Sequence, residues 1–135
     1  MARRIRSVEI NGNTLFTSSN GIVKSTSASA ALQSTGMPRA LDMSYTLGGA
    51  GTGTIFTAAS QLRAYRHTWA LKDANNNLIV GAPSGRVVVT SAAINENATF
   101  TIRIPPQITT SHVYQVFATA ISTSDPGDSM VQIYE

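Results

Sequence analysis

The side chains able to do chemistry are few and widely separated. His67 and His112 are the only histidines, and cysteine is absent. His67 stands between Tyr65 and Trp69 in an alternating apolar run, and His112 opens another. Zinc needs three or four ligands, and the seven Asp and Glu residues are scattered along the chain. Both histidines are therefore expected to be packed or hydrogen-bonded structural residues. No Ser, His and Asp share a nucleophile-elbow context. Asp73-Ala74-Asn75-Asn76-Asn77 starts like a calcium loop but lacks the glycine at position six and the distal Glu. Gly48-Gly49-Ala50-Gly51-Thr52-Gly53 has the glycines of a phosphate loop, but Thr54-Ile55-Phe56-Thr57 follows where Lys-Ser/Thr and a helix are required. No catalytic, cofactor or metal site is expected. Trp69 and the tyrosines could stack on sugars or bases, but period-2 spacing marks them as core.

The elements that carry these residues read as strands. Ala64–Thr90 is the organising stretch: two strands joined by a polar turn. Tyr65, His67, Trp69 and Leu71 alternate with Arg66, Thr68, Ala70 and Lys72, the pattern of a strand with one buried face. Asp73 to Asn77 forms the turn, since Asp and Asn bond their own backbone and tolerate left-handed φ. Gly81-Ala82-Pro83-Ser84-Gly85 bends the chain into a β-branched strand, Arg86–Thr90.

Upstream, Arg6–Lys24 reads as a three-stranded meander. Asn11-Gly12 and Asn20-Gly21 are its turns, because a type I′ hairpin needs positive φ at both central residues. Such a meander cannot bury its face alone, and it resembles one β-propeller blade or one end of a sandwich. Ser25–Met37 is small and polar, a linker with weak helical potential at Ala30–Gln33. Leu41–Leu47 alternates as a strand. Downstream, Phe100, Ile102 and Ile104 share one face of a strand that Pro105-Pro106 stops. His112–Thr119 is apolar on both faces, as a central strand should be. Met130–Tyr134 is the last strand.

The totals set the bounds. The 135 residues suit one domain of ordinary size. Hydrophobic residues are 42%, enough for a core, whereas charged residues are only 13%, about half the usual ~25%. Ser and Thr replace them, which suits β-structure and surfaces packed against neighbours. Without cysteine there are no disulfides or thiolate metal sites. No apolar run approaches the ~20 residues of a membrane span, and no hydrophobic run follows the basic start, so no secretory signal is expected. The net charge of +3 comes from the first 39 residues, where Arg3, Arg4, Arg6, Lys24 and Arg39 face Glu9 alone. That cluster is short for a nucleic-acid arm and reads as a solvated terminus or a protected strand edge.

Several pieces resemble known modules. Tyr65 through Trp69, the Asp-Asn turn and Gly81-Ala82-Pro83-Ser84 are similar to the closing hairpin of fibronectin type III-like modules. The order GNTLFTSSNGIVK, GMPRALD, YRHTWALKDANNNLIVGAPSGRVVVT, IPPQITTSHVYQVF and VQIYE resembles a segment of the tail tube (nozzle) proteins of short-tailed bacteriophages. GAPSGRVVVT and IPPQITTS are its most specific parts. Ala118-Thr119 departs from the family, which commonly has Tyr-Arg there. The alternating patterns give an all-β chain, read as a β-meander and linker over 1–36 and an immunoglobulin/fibronectin III-like β-sandwich over 37–135, and the resemblance implies that it belongs to a longer protein. The resemblance also implies a non-catalytic virion protein of the tail, a homo-oligomeric ring that meets other tail proteins and transiently DNA. Two alternatives remain open: a capsid decoration or head-fibre protein, and a carbohydrate-binding adhesion module with Trp69 or Tyr114 as platform.

Overall fold

The computed structural model describes residues 6–18, 21–25, 27, 33–34, 36–49, 55–72 and 75–135. These are all-β, with no helix among them, and every strand pairing is antiparallel. The first sheet is β1 (Ser7–Ile10), β2 (Asn13–Ser18), β3 (Gly21–Ser25) and β4 (Gln33–Ser34), in that order. Asn11 and Gly12 join β1 to β2 with φ of 49° and 74°. Both are positive, as a type I′ turn requires. The second turn is displaced from the sequence expectation. Ser18 pairs with Gly21, so Gly21 begins β3, and Asn20 lies outside the described residues. The expected linker also needs correction: Ser25 ends β3, and Gln33-Ser34 pairs with Lys24 and Val23 as a fourth strand. Residues 30–32 of the expected helical stretch lie outside the described residues.

The remaining strands are β5 (Met43–Gly48), β6 (Leu62–Lys72), β7 (Leu78–Val80), β8 (Val87–Thr90), β9 (Asn97–Ile102), β10 (His112–Ala118) and β11 (Val131–Tyr134). They form two facing layers. One is ordered β11-β10-β6-β7, with β8 also on β6, and the other is β5-β9. Between them, Met43, Phe56, Tyr65, Val89 and Ala118 form the core, flanked by Tyr45, Leu47, Phe100, Ile102 and Val116. Tyr65 and Phe100 meet across the layers with ring centroids 4.7 Å apart. Burying each such side chain contributes about 1.5–3 kcal/mol. The β9 run ends at Ile102, one alternation earlier than expected, and Ile104 is exposed. The last strand begins at Val131 rather than Met130.

β6 holds this half of the chain together. It pairs with β10 along one edge, while β8 and β7 share its other edge in line. The expected second arm is thus two strands, with Leu78-Ile79-Val80 as the first. β6 is also buried on both faces, not one. Tyr65, His67 and Trp69 fill one side, and the small Ala64, Thr68 and Ala70 fit the other.

A strand this central needs acceptors along both edges, and its neighbours leave the ladder at three places. At each, a buried hydroxyl replaces a carbonyl. Between β7 and β8, Ser84 Oγ accepts from His67 N at 3.1 Å, while Ser84 N donates to His67 O. Past β10, Thr119 Oγ1 accepts from Ala64 N at 3.0 Å. Just before β6, Ser91 Oγ accepts from Gln61 N at 2.9 Å. All three side chains are at most 3% exposed. Gly81 is set by close approach: its N donates to Trp69 O, and a Cβ there would lie 2.6 Å from Pro38 O. Ser84→Ala leaves the His67 amide buried without an acceptor, so urea unfolding is expected to show a loss of about 1–3 kcal/mol. An exposed control such as Ser124→Ala is expected to be near neutral.

Candidate functional site

The residues with chemical potential gather on one face of β6 and β10. His67, Trp69 and Tyr114 form an aromatic cluster with centroid separations of 5.0 to 6.5 Å, and Tyr134 on β11 extends it at 6.3 Å from Tyr114. The register explains the grouping, because Trp69 pairs with Tyr114, and Val116 pairs with both His67 and Tyr134.

His67 is fully buried and lies 2.8 Å through Nε2 from Leu41 O. A carbonyl only accepts, so Nε2 carries the proton. Nδ1 is buried with no hydrogen-bond partner. Burial pushes the imidazole pKa down, opposed by the Leu41 carbonyl bond and the charge of Asp42. The ring fastens the Leu41 segment to β6, and Ala40 N bonds Ala82 O beside it. A group sealed in this way has no route to a substrate.

His112 serves a different purpose. Its Nδ1 accepts from Thr109 N at 3.0 Å and closes the turn before β10. It lies four residues before Val116, the partner of His67, which is about 13 Å along β10. The two histidines are not brought together. Among the described residues no group of three or more His, Asp or Glu could hold a metal. Trp69, expected as a sugar platform in one alternative, is 6% exposed with its ring packed on Tyr114. It offers no face for stacking.

The opposite face of the sheet carries polar networks. Thr68 Oγ1 donates to Gln115 Oε1, and Gln115 Nε2 and Gln132 Nε2 both donate to Glu135 Oε2. Those amide bonds, Gln115 first, hold the Glu135 carboxyl below its ordinary pKa. Nearby, Arg86 donates to Gly127 O at 2.9 Å and to Asp125, and its Nε lies 3.3 Å from Asp128. The bond from Arg86, aided by Gly127 N, keeps Asp125 below the usual carboxylate range. This clamp fixes the loop at Gly127, whose φ is +67°. A shallow depression of about 260 Å³ lies beside it, lined by Arg66, Thr68, Pro83, Phe117, Asp128 and Met130. Asp128 lies 3.5 Å from the Arg66 guanidinium there, so the depression offers no free cation to anchor an anion.

Sequence reasoning did not find the Arg86 clamp. The available signal was one arginine before a β-branched strand and two aspartates flanking Pro126-Gly127, but nothing in that spacing joins them. Comparison with known proteins yields no match: no family model, no curated protein and no solved structure is similar to this chain. No helix among the described residues is long and apolar enough to cross a membrane.

The His67 shift has a definite sign. The folded state holds the neutral ring, whereas the unfolded chain takes a proton near the ordinary value of 6.5. Stability contributed by His67 is therefore complete above pH 6.5 and falls on acidification until the lowered folded pKa is passed. Melting temperature is expected to drop between pH 7 and about pH 5. The drop should be visibly smaller in His67→Phe; equal slopes would refute the assignment.

Proposed function

We propose that this chain is a structural module of a short-tailed bacteriophage tail, part of a tube (nozzle) subunit that lines the path of DNA release. The observation that carries the proposal is the order of sequence pieces resembling that family, above all GAPSGRVVVT and IPPQITTS. Its finer fold is an immunoglobulin/fibronectin III-like sandwich preceded by a blade-like meander; the facing antiparallel layers support this. The role is mechanical and non-catalytic. In support, both histidines and Trp69 are committed to packing or turn closure. GAPSG itself acts on backbone geometry, through the close approach at Gly81 and the acceptor at Ser84. The chain's place is the virion tail, with like subunits and other tail proteins as neighbours and DNA as a passing contact.

The test is mass spectrometry of virus particles purified from the source of the gene. Peptides such as Val87–Arg103 are expected in the particles, within a product several times longer than these 135 residues. Their copy number is expected to match one ring per tail. A copy number scaling with the capsid lattice favours the decoration alternative, and absence from particles refutes both.

A further inference from the structure

We infer that copies of this chain join head to tail through two open sheet edges, with β1 of one copy laid along β11 of the next. The inference rests on the ring reading above for its setting; its physical argument is separate. Among the described residues β1 is the outer strand of the first sheet and β11 of the second, and every residue in both is exposed. Open edges in natural proteins are commonly blunted by lysine or proline. Ser7-Val8-Glu9-Ile10 and Val131-Gln132-Ile133-Tyr134 contain neither; Glu9 is the one charge on β1 and a bulge the one irregularity of β11. Both edges present aliphatic side chains instead: Val8 and Ile10 are 54% and 51% exposed, Val131 and Ile133 65% and 45%.

The backbone of β1 is prepared for a partner. Thr17 N donates to Arg6 O, and antiparallel bonding alternates along the strand. Ser7 and Glu9 therefore turn their N–H and C=O groups outward. On β11 a bulge between the partners of Val116 and Phe117 keeps any added ladder short, so side chains supply much of the contact.

Charge chooses both partner and direction. Arg3, Arg4 and Arg6 precede β1 with no acid before Glu9, whereas Asp125, Asp128 and Glu135 follow Ala120 with no Lys or Arg. Asp125 and Asp128 already meet Arg86 and Arg66. Among the described residues, neither Arg6 nor Glu135 has a salt bridge within 4 Å, although Glu135 accepts from Gln115 and Gln132 and is attracted by Lys72. Antiparallel docking brings the Arg6 end of β1 to the Glu135 end of β11, and Val8 and Ile10 alongside Ile133 and Val131. Opposite charges and aliphatic pairs across strands are both favourable. The two edges differ, so the contact is heterologous, and repetition gives a closed ring or an open filament. The fitting partner is thus a second copy of this chain.

The test is light scattering coupled to size exclusion on the 135-residue chain. The wild type is expected to assemble beyond a monomer. Glu9→Pro, which removes an outward N–H, and Val131→Lys/Ile133→Lys, which charges the other edge, are each expected to be monomeric. Mixed in equal amounts, they retain one good edge each and should give a dimer of twice 14.3 kDa and nothing larger. Arg6→Glu is expected to weaken assembly about five-fold, and adding Glu135→Arg to the same chain should restore it. A monomeric wild type overturns the inference. A wild-type oligomer indifferent to these variants, or blocked variants that stay monomeric when mixed, overturns the two edges while leaving the ring reading intact. The tail reading itself falls only to the particle measurement.

Discussion

The structure depends on satisfying the backbone of one long strand along both edges. Burial on both faces removes water as an alternative partner for the β6 amides, and an unpaired buried amide costs about 1–3 kcal/mol. β7, β8 and β10 supply most of the ladder, but none of them spans the whole of β6. Ser84, Ser91 and Thr119 complete it, each a hydroxyl standing where a carbonyl belongs. This gives the Ser/Thr-rich, charge-poor composition a second meaning. Hydroxyls suit an exposed β-surface, and they are also small enough to sit inside a sheet and finish its hydrogen bonding.

The same constraint bears on function. The aromatic cluster and His67 resemble a binding site in composition, yet their geometry serves cohesion. His67 ties the Leu41 segment to β6, Trp69 is covered, and Tyr65 joins the layers through Phe100. What the molecule presents outward is different: aliphatic strand edges at β1 and β11, and a loop held rigid by Arg86. A mechanical subunit makes use of such features through contact with its neighbours, which fits the proposed place in a tail.

Much of the architecture was legible in the sequence because it follows from local chemistry. Asn11-Gly12 specified its turn through two residues that tolerate positive φ. The alternation in Tyr65–Leu71 and in Tyr114–Ala118 marked the two central strands, and the apolar residues on both faces of the latter placed it inside the sheet. Errors arose where local pattern and tertiary position diverge. Arg66, Thr68 and Ala70 read as a polar outer face, but two are small enough to be covered and the third reaches Asp128. Leu78-Ile79-Val80 is too short to show a period and became a strand only because β6 has length to spare. Gln33-Ser34 has no strand propensity to read, and its pairing comes from the free edge of β3.

By itself, then, the sequence determined an all-β chain, its principal strands, one exact turn and a scarcity of catalytic groups. Each of these rests on side-chain periodicity or on a residue's own φ preference, which are local properties. Only the tertiary structure decided that β6 is covered on both sides, that three hydroxyls close its ladder, that His67 is sealed against Leu41, and that Arg86 holds the loop at Gly127. Those outcomes depend on segments from 17 to 55 residues apart meeting within hydrogen-bond range. No spacing along the chain encodes such meetings; they arise only when segments remote in sequence pack together and pair their buried polar groups.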